Sequence, residues 1–238
     1  MCMHKYGSCP ILNLLSPLNT QYFDPVTIKL FEYPTTGKPT CTSKKPADTR
    51  RSELLAGLLP QLVAACQAST RDLLCSLPGS RVLTETFFAA EGEGKQQLAE
   101  AIAKCVAETD PSDDSRHGKE GLDEQPDEED AGPAAHAIGH KAMQKLLARE
   151  AKESKDGTTP LWEAFYAALH TFEKVDVRLT VWAKHNRMAF VLVELVKTTP
   201  EARKADIRAL FAPVVKALRE LPADSRCAGA SKLLEVLQ

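Results

Sequence analysis

"HKYGSCPILNLL", residues 4–15, has the pattern of an amphipathic helix. Tyr6, Ile11, Leu12, Leu14 and Leu15 fall at helical spacing and make one apolar stripe. A helix with such a stripe needs a partner, and almost no chain stands before this one. Its meaning therefore depends on whether the stretch recurs.

It does recur. Aligned on a small or anchor residue, Gly7, Gly79, Gly139, Met188 and Gly229 are each followed by the same apolar pattern. Position +4 is Ile11, Leu83, Met143, Leu192 or Leu233, and position +8 is Leu15, Phe87, Leu147, Val196 or Leu237. Position +7 is apolar in four of the five; Thr86 is the exception. The anchors lie 72, 60, 49 and 41 residues apart, and the two longest intervals contain the two loop-like stretches of the chain. Without those stretches the spacing approaches that of helical solenoid repeats. Glycine at four anchors predicts close packing where a side chain would not fit. The opening helix then reads as the last helix of a repeat whose first helix lies upstream, so the chain is expected to be the C-terminal part of a longer array.

Composition agrees with helix. The 238 residues are 43% hydrophobic and only 6% aromatic, so Leu, Val and Ala must fill the core. Helices are predicted at 24–31, 49–66, 69–76, 79–90, 94–107, 134–151, 160–170, 173–184, 187–197, 200–221 and 226–237, with no strand. Leu54, Leu55, Leu58, Leu59 and Leu62 form the inner face of the long one, which Pro60 should kink or divide. Asp24-Pro25, Thr159-Pro160 and Thr199-Pro200 read as N-caps followed by proline. Residues 33–48 read as a flexible loop.

Charge is unevenly spread. Residues 108–130 hold eleven acids and two bases; without them the 30 bases and 32 acids of the chain become 28 and 21, a net +7. The acidic stretch has little to bury and reads as a disordered loop, while the basic remainder can attract polyanions. No apolar run approaches the roughly 18 residues that cross a bilayer, so no membrane partner is expected. The seven cysteines, at 2, 9, 41, 66, 75, 105 and 227, are scattered and odd in number, which argues for a reducing compartment and against a disulfide framework or zinc cage.

The order and spacing of "HKYGSCPILNLLSP" (4–17), "RRSELLAGLLPQLV" (50–63), "HAIGHKAMQKLL" (136–147), "WAKHNRMAFVLVELV" (182–196) and "GASKLLEVLQ" (229–238) resemble Pumilio repeats. More closely, nearly the whole chain resembles the C-terminal region, CPL domain included, of the Puf-A/Penguin branch of Pumilio-homology proteins. The resemblance implies an all-α, curved solenoid of Pumilio-like helical repeats carrying a long disordered acidic loop. It divides the chain into Pumilio-like repeats at 1–107, the acidic loop at 108–132 and CPL-type helical repeats at 133–238. It implies a nucleolar protein of large-subunit ribosome biogenesis that binds RNA, and DNA as well, with little base specificity. Ribosomal RNA or its precursor and ribosome assembly factors are the implied partners.

In Pumilio repeats that read bases, positions +1, +2 and +5 from the anchor do the reading, one nucleotide per repeat. Here those triplets are Ser8/Cys9/Leu12, Ser80/Arg81/Thr84, His140/Lys141/Gln144, Ala189/Phe190/Val193 and Ala230/Ser231/Leu234. Only the second and third could reach a base edge, so a base code is not expected. Backbone contact through cations remains. The candidates are Lys44, Lys45, Arg50 and Arg51 at the edge of the first loop, and Arg81, His140, Lys141, Gln144, Lys145, Lys184, Asn186 and Arg187 on or just before the second helices. A different reading, a HEAT- or armadillo-like scaffold that docks an assembly factor without touching nucleic acid, would use an apolar concave groove around Phe190 and Val193.

Other motifs carry less. His136 and His140 share a helix face but lack the Glu and third ligand of a zinc site, and read as capping or packing residues. "GEGK" (92–95) lacks the full phosphate-loop spacing and reads as a turn before a helix. Cys66 and Cys75 read as buried and inert, Trp162 and Trp182 as core. No nucleophile–base pair or carboxylate pair stands out, so neither an enzyme nor a cofactor, metal or small-molecule substrate is expected.

Overall fold

The computed structural model describes residues 2–31, 45–109, 132–154 and 158–238, and among these no strand occurs. The acidic stretch lies outside the described residues apart from Glu108, Thr109 and Gly132, as does most of 33–48. The chain forms two compact units, Met1–Lys95 and Gln96–Gln238.

The first unit holds α1 (Cys9–Leu15), α2 (Pro25–Phe31), α3 (Ala47–Ala68), α4 (Thr70–Cys75), α5 (Leu77–Ala89) and the first turn of α6 (Gly92–Ala107). The helix α5 is its centre, packed by α1, α3 and α4. Leu12, Phe23 and Val82 bury against one another, with Ile11, Ile28 and Phe31 around them. The recurring helices α1 and α5 are therefore neighbours, as the repeat predicts. Asp24 caps α2: its carboxylate accepts from the amides of Val26 and Thr27, both at 2.9 Å.

Three details of this unit differ from the sequence reading. Tyr6 is 70% exposed, because α1 begins only at Cys9 and Tyr6 lies in the turn before it. Leu54 is 64% exposed; the buried side of α3 is Leu62, Val63 and Cys66. Pro60 does not divide α3, which runs unbroken from Ala47 to Ala68. Both Pro60 and Ala56, whose carbonyl loses its donor, are exposed, so water can satisfy that group.

The second unit continues α6 and adds α7 (Gly139–Glu153), α8 (Pro160–His170), α9 (Val175–Lys184), α10 (Asn186–Lys197), α11 (Lys204–Glu220) and α12 (Ala228–Val236). Here α7, α10 and α12 pack side by side, and α9 packs on α11 in a second layer. That position explains α10. Met188, Ala189, Val191, Leu192, Val193 and Leu195 are all buried, which leaves "FVLVELV" apolar nearly all round, as befits a helix between two others. Trp162 and Trp182 are core residues, and the Trp162 indole donates to Leu195 O at 2.9 Å.

The anchor glycines are where backbones meet. A Cβ on Gly79 would lie 2.9 Å from Leu73 Cα, on Gly139 2.3 Å from Pro133 O, and on Gly229 2.6 Å from Asn186 O. The last is a contact between second helices of successive repeats; the other two are with the segment entering the same repeat.

Several starts are made differently from the sequence reading. "GEGK" is the first turn of α6 rather than a turn before it. A 3-10 turn at Glu201–Arg203 precedes α11, and Thr199 bonds back to Leu195 O instead of capping it. Thr159 makes no cap bond. The amides of Leu161 and Trp162 donate instead to the buried carboxylate of Glu150, at 2.8 and 2.9 Å.

Candidate nucleic-acid interface

The recurring helices place their +1 residues inside. Ser8, Ser80, His140, Ala189 and Ala230 are all buried. Of the +5 residues, Leu12, Val193 and Leu234 are buried as well. In the two triplets that could have read a base, Ser80, Thr84 and His140 are spent within the fold. The Ser80 hydroxyl donates to Leu77 O at 3.1 Å and that of Thr84 to Ser80 O at 2.7 Å. His140 shares a hydrogen bond of 2.8 Å with His136 O. Its burial, and then the charges of Arg187 and Lys141 nearby, hold the imidazole pKa below its ordinary value. His140 is therefore no surface contact. His136 Nδ1 accepts from the amides of Ile138 and Gly139 at 3.1 and 3.3 Å, so it caps α7. Val193 belongs to the core, so it contributes nothing to an exposed apolar groove; Phe190 beside it is half-buried.

The remaining candidates divide into committed and available cations. Lys44 lies outside the described residues. Lys45 is paired with Glu53 at 2.7 Å. Arg50 is half-buried on α3. Arg51 donates to Leu14 O and Leu15 O at 2.7 and 2.9 Å, so it caps the C-terminus of α1. Arg81 lies over the Tyr22 ring at 5.7 Å, and the Tyr22 hydroxyl donates to Glu85. Arg187 donates to Ala135 O at 3.0 Å, fixing the turn before α7. The Asn186 side chain accepts from the Gly229 amide at 3.0 Å, which seats α12. Lys141, Lys145 and Lys184 are exposed and make no ion pair among the described residues; Gln144 is half-buried between the first two.

Lys141 and Lys145 are one turn apart on α7, and Arg187 stands close enough to feel in the titration of His140. The packing of α7 against α10 thus puts one positive face on the second unit. Lys152, seven residues beyond Lys145, extends the exposed side of α7. It was not singled out in the sequence, although its spacing from Lys145 was the available signal.

The fold and this face define an all-α helical repeat protein with a cationic surface on its recurring helices. The family model of the CPL (NUC119) domain matches residues 3–159, and the chain belongs to that family. It is 26% identical over 235 residues to Pumilio homolog 3 of Danio rerio, across 98% of this chain and 34% of that protein. Against Pumilio homolog 3 of Homo sapiens it is 25% identical, across 98% and 33%. The chain thus spans about a third of the length of these curated relatives. A crystal structure of human Puf-A shares the fold, with a TM-score of 0.70 at 22% identity over 98% of this chain and 40% of that one. Human Puf-A in complex with DNA matches with the same TM-score, over 97% and 39%. The resemblance to the Puf-A branch of Pumilio-homology proteins holds.

Proposed function

We propose that this chain is a helical repeat module that binds RNA and DNA through the phosphate backbone, without reading bases, and that it serves large-subunit ribosome biogenesis in the nucleolus. Precursor ribosomal RNA and assembly factors are its partners in this reading. The carrying observation is the contrast between positions on α7: the +1 residue is buried and bonded, while Lys141 and Lys145 beside it are exposed and unpaired among the described residues. Such a surface supplies affinity through counterion release and no sequence code. Human Puf-A, which has this fold, was crystallised with DNA.

The test is binding of the chain to a ribosomal RNA fragment, an unrelated single strand and duplex DNA across a salt series. Similar affinities that fall steeply with salt are expected. Lys141→Ala/Lys145→Ala/Lys184→Ala should lower the slope of log K against log salt by about 2–3, at 0.7 to 0.9 per lost phosphate contact. Sequence-selective binding indifferent to the triple variant, or no binding at low salt, would overturn the reading.

A further inference from the structure

The second unit carries a groove of about 580 Å³ between α6 and α8, lined entirely by residues of that unit. These two helices do not pack on one another as α9 and α11 do. They are held apart, and the gap is set by a strut. Arg178 lays its guanidinium 3.9 Å from the centre of the Phe172 ring, at one end of the groove. The same group donates to Ala107 O and Thr109 O, at 2.9 and 3.1 Å, at the end of α6. The groove is thus pre-formed. Its α8 wall is alanine, with Ala164 buried at the base and Ala167 and Ala168 above it. Its α6 edge is charged, carrying Glu100, Lys104 and Glu108; Glu163 stands on the α8 side. Three acids thus stand against two bases, Lys104 and Arg203. Arg203 binds Glu163, at 3.0 and 3.2 Å, and Lys104 reaches Glu108 only at 3.9 Å.

The geometry points to a docking site for a basic amphipathic helix of a protein partner. Alanine walls let a second helix approach closely and leave room for its bulky side chains, the helix-in-groove mode of recognition. On the α6 side the lining spans residues 96–108, which corresponds to about 18 Å, or three turns, of a partner helix. Leu, Met or Phe at i, i+3/i+4 and i+7 fill the gap, and Lys or Arg beside them meet Glu100 and Glu108. The same acids repel phosphates, so this face is separate in chemistry from the lysines of α7.

The test pans a phage library of random 16-residue peptides against the whole chain, with an Ala167→Trp chain as the counter-selection. Ala167 is exposed, so the tryptophan fills the groove without entering the core, and a circular-dichroism melt checks that. Enriched peptides should carry apolar residues at helical spacing flanked by Lys or Arg. A synthetic consensus peptide should bind at least about tenfold more weakly to A167W and to E100K/E108K. Its affinity for the Lys141→Ala/Lys145→Ala chain should be unchanged. Failure to enrich over A167W, enrichment of acidic or patternless peptides, equal binding to A167W, or loss of binding to the Lys141→Ala/Lys145→Ala chain would each overturn the assignment.

Discussion

Replacing Glu150 with alanine tests how the second unit is held together. Glu150 is buried on α7, and its two carboxylate oxygens take the amides of Leu161 and Trp162, at 2.8 and 2.9 Å. Both donors belong to buried residues, so no water replaces the lost acceptor freely. A hydrogen bond to a charged group contributes about 1.5–3 kcal/mol, and an orphaned buried donor costs about 1–3 kcal/mol. The carboxylate also faces the positive end of α8. Taking the lower half of these ranges for two bonds, Glu150→Ala should destabilise the unit by about 3 kcal/mol. For a unit of this size that lowers Tm by roughly 6–12 °C. The assay is urea unfolding followed by tryptophan fluorescence. Trp162 and Trp182 are the only tryptophans of the chain and both lie in this unit, so the signal reports it alone. Thr159 is the comparison. Its buried hydroxyl has no hydrogen-bond partner among the described residues, so Thr159→Ala should change stability by no more than about 0.5 kcal/mol. A loss below about 1 kcal/mol for Glu150→Ala, or a larger loss for Thr159→Ala than for Glu150→Ala, would refute the assignment of the cap.

Two further outcomes follow from the packing. Gly139→Ala places a methyl 2.3 Å from Pro133 O, which is backbone and cannot swing away, and should cost about 2 kcal/mol or more in the same urea unfolding assay. Gly57→Ala, inside α3 with nothing within 4 Å of the new Cβ, should instead gain about 0.5–1 kcal/mol, read by circular dichroism. His140 supplies a pH dependence. Burial lowers its folded-state pKa, so the unfolded chain binds the proton more readily; the stabilisation is present above about pH 6.5 and is lost as pH falls below that. Unfolding between pH 7.5 and 5 should therefore show a shallower decline for His140→Gln than for the parent chain, and an identical slope would rule the residue out.

Much of the fold was legible in the sequence because a repeat cannot hide its period. Leu83, Met143, Leu192 and Leu233 recur at one offset from their anchors, and all four are buried in the helices that recur. The glycines at 79, 139 and 229 foretold close approach, and their backbones do meet neighbours. The candidate interface was less legible. Sequence shows that a residue is charged, and nothing in it shows where that charge is spent. Arg51, Lys141 and Arg187 look alike in one dimension. Arg51 caps a helix that ends 36 residues before it, Arg187 holds a carbonyl 52 residues away, and Lys141 stands clear.

The sequence alone was enough for the all-helical class, the recurring helices and their buried stripes, since each follows from residue type at short, regular spacing. Tertiary structure alone decided the rest. It chose Glu150 over Thr159 as the cap of α8, let Pro60 stay inside α3, buried His140, and opened the groove of α6 and α8 around Arg178. Those outcomes turn on which groups are brought together from distant parts of the chain and which are left to water, and local pattern contains neither.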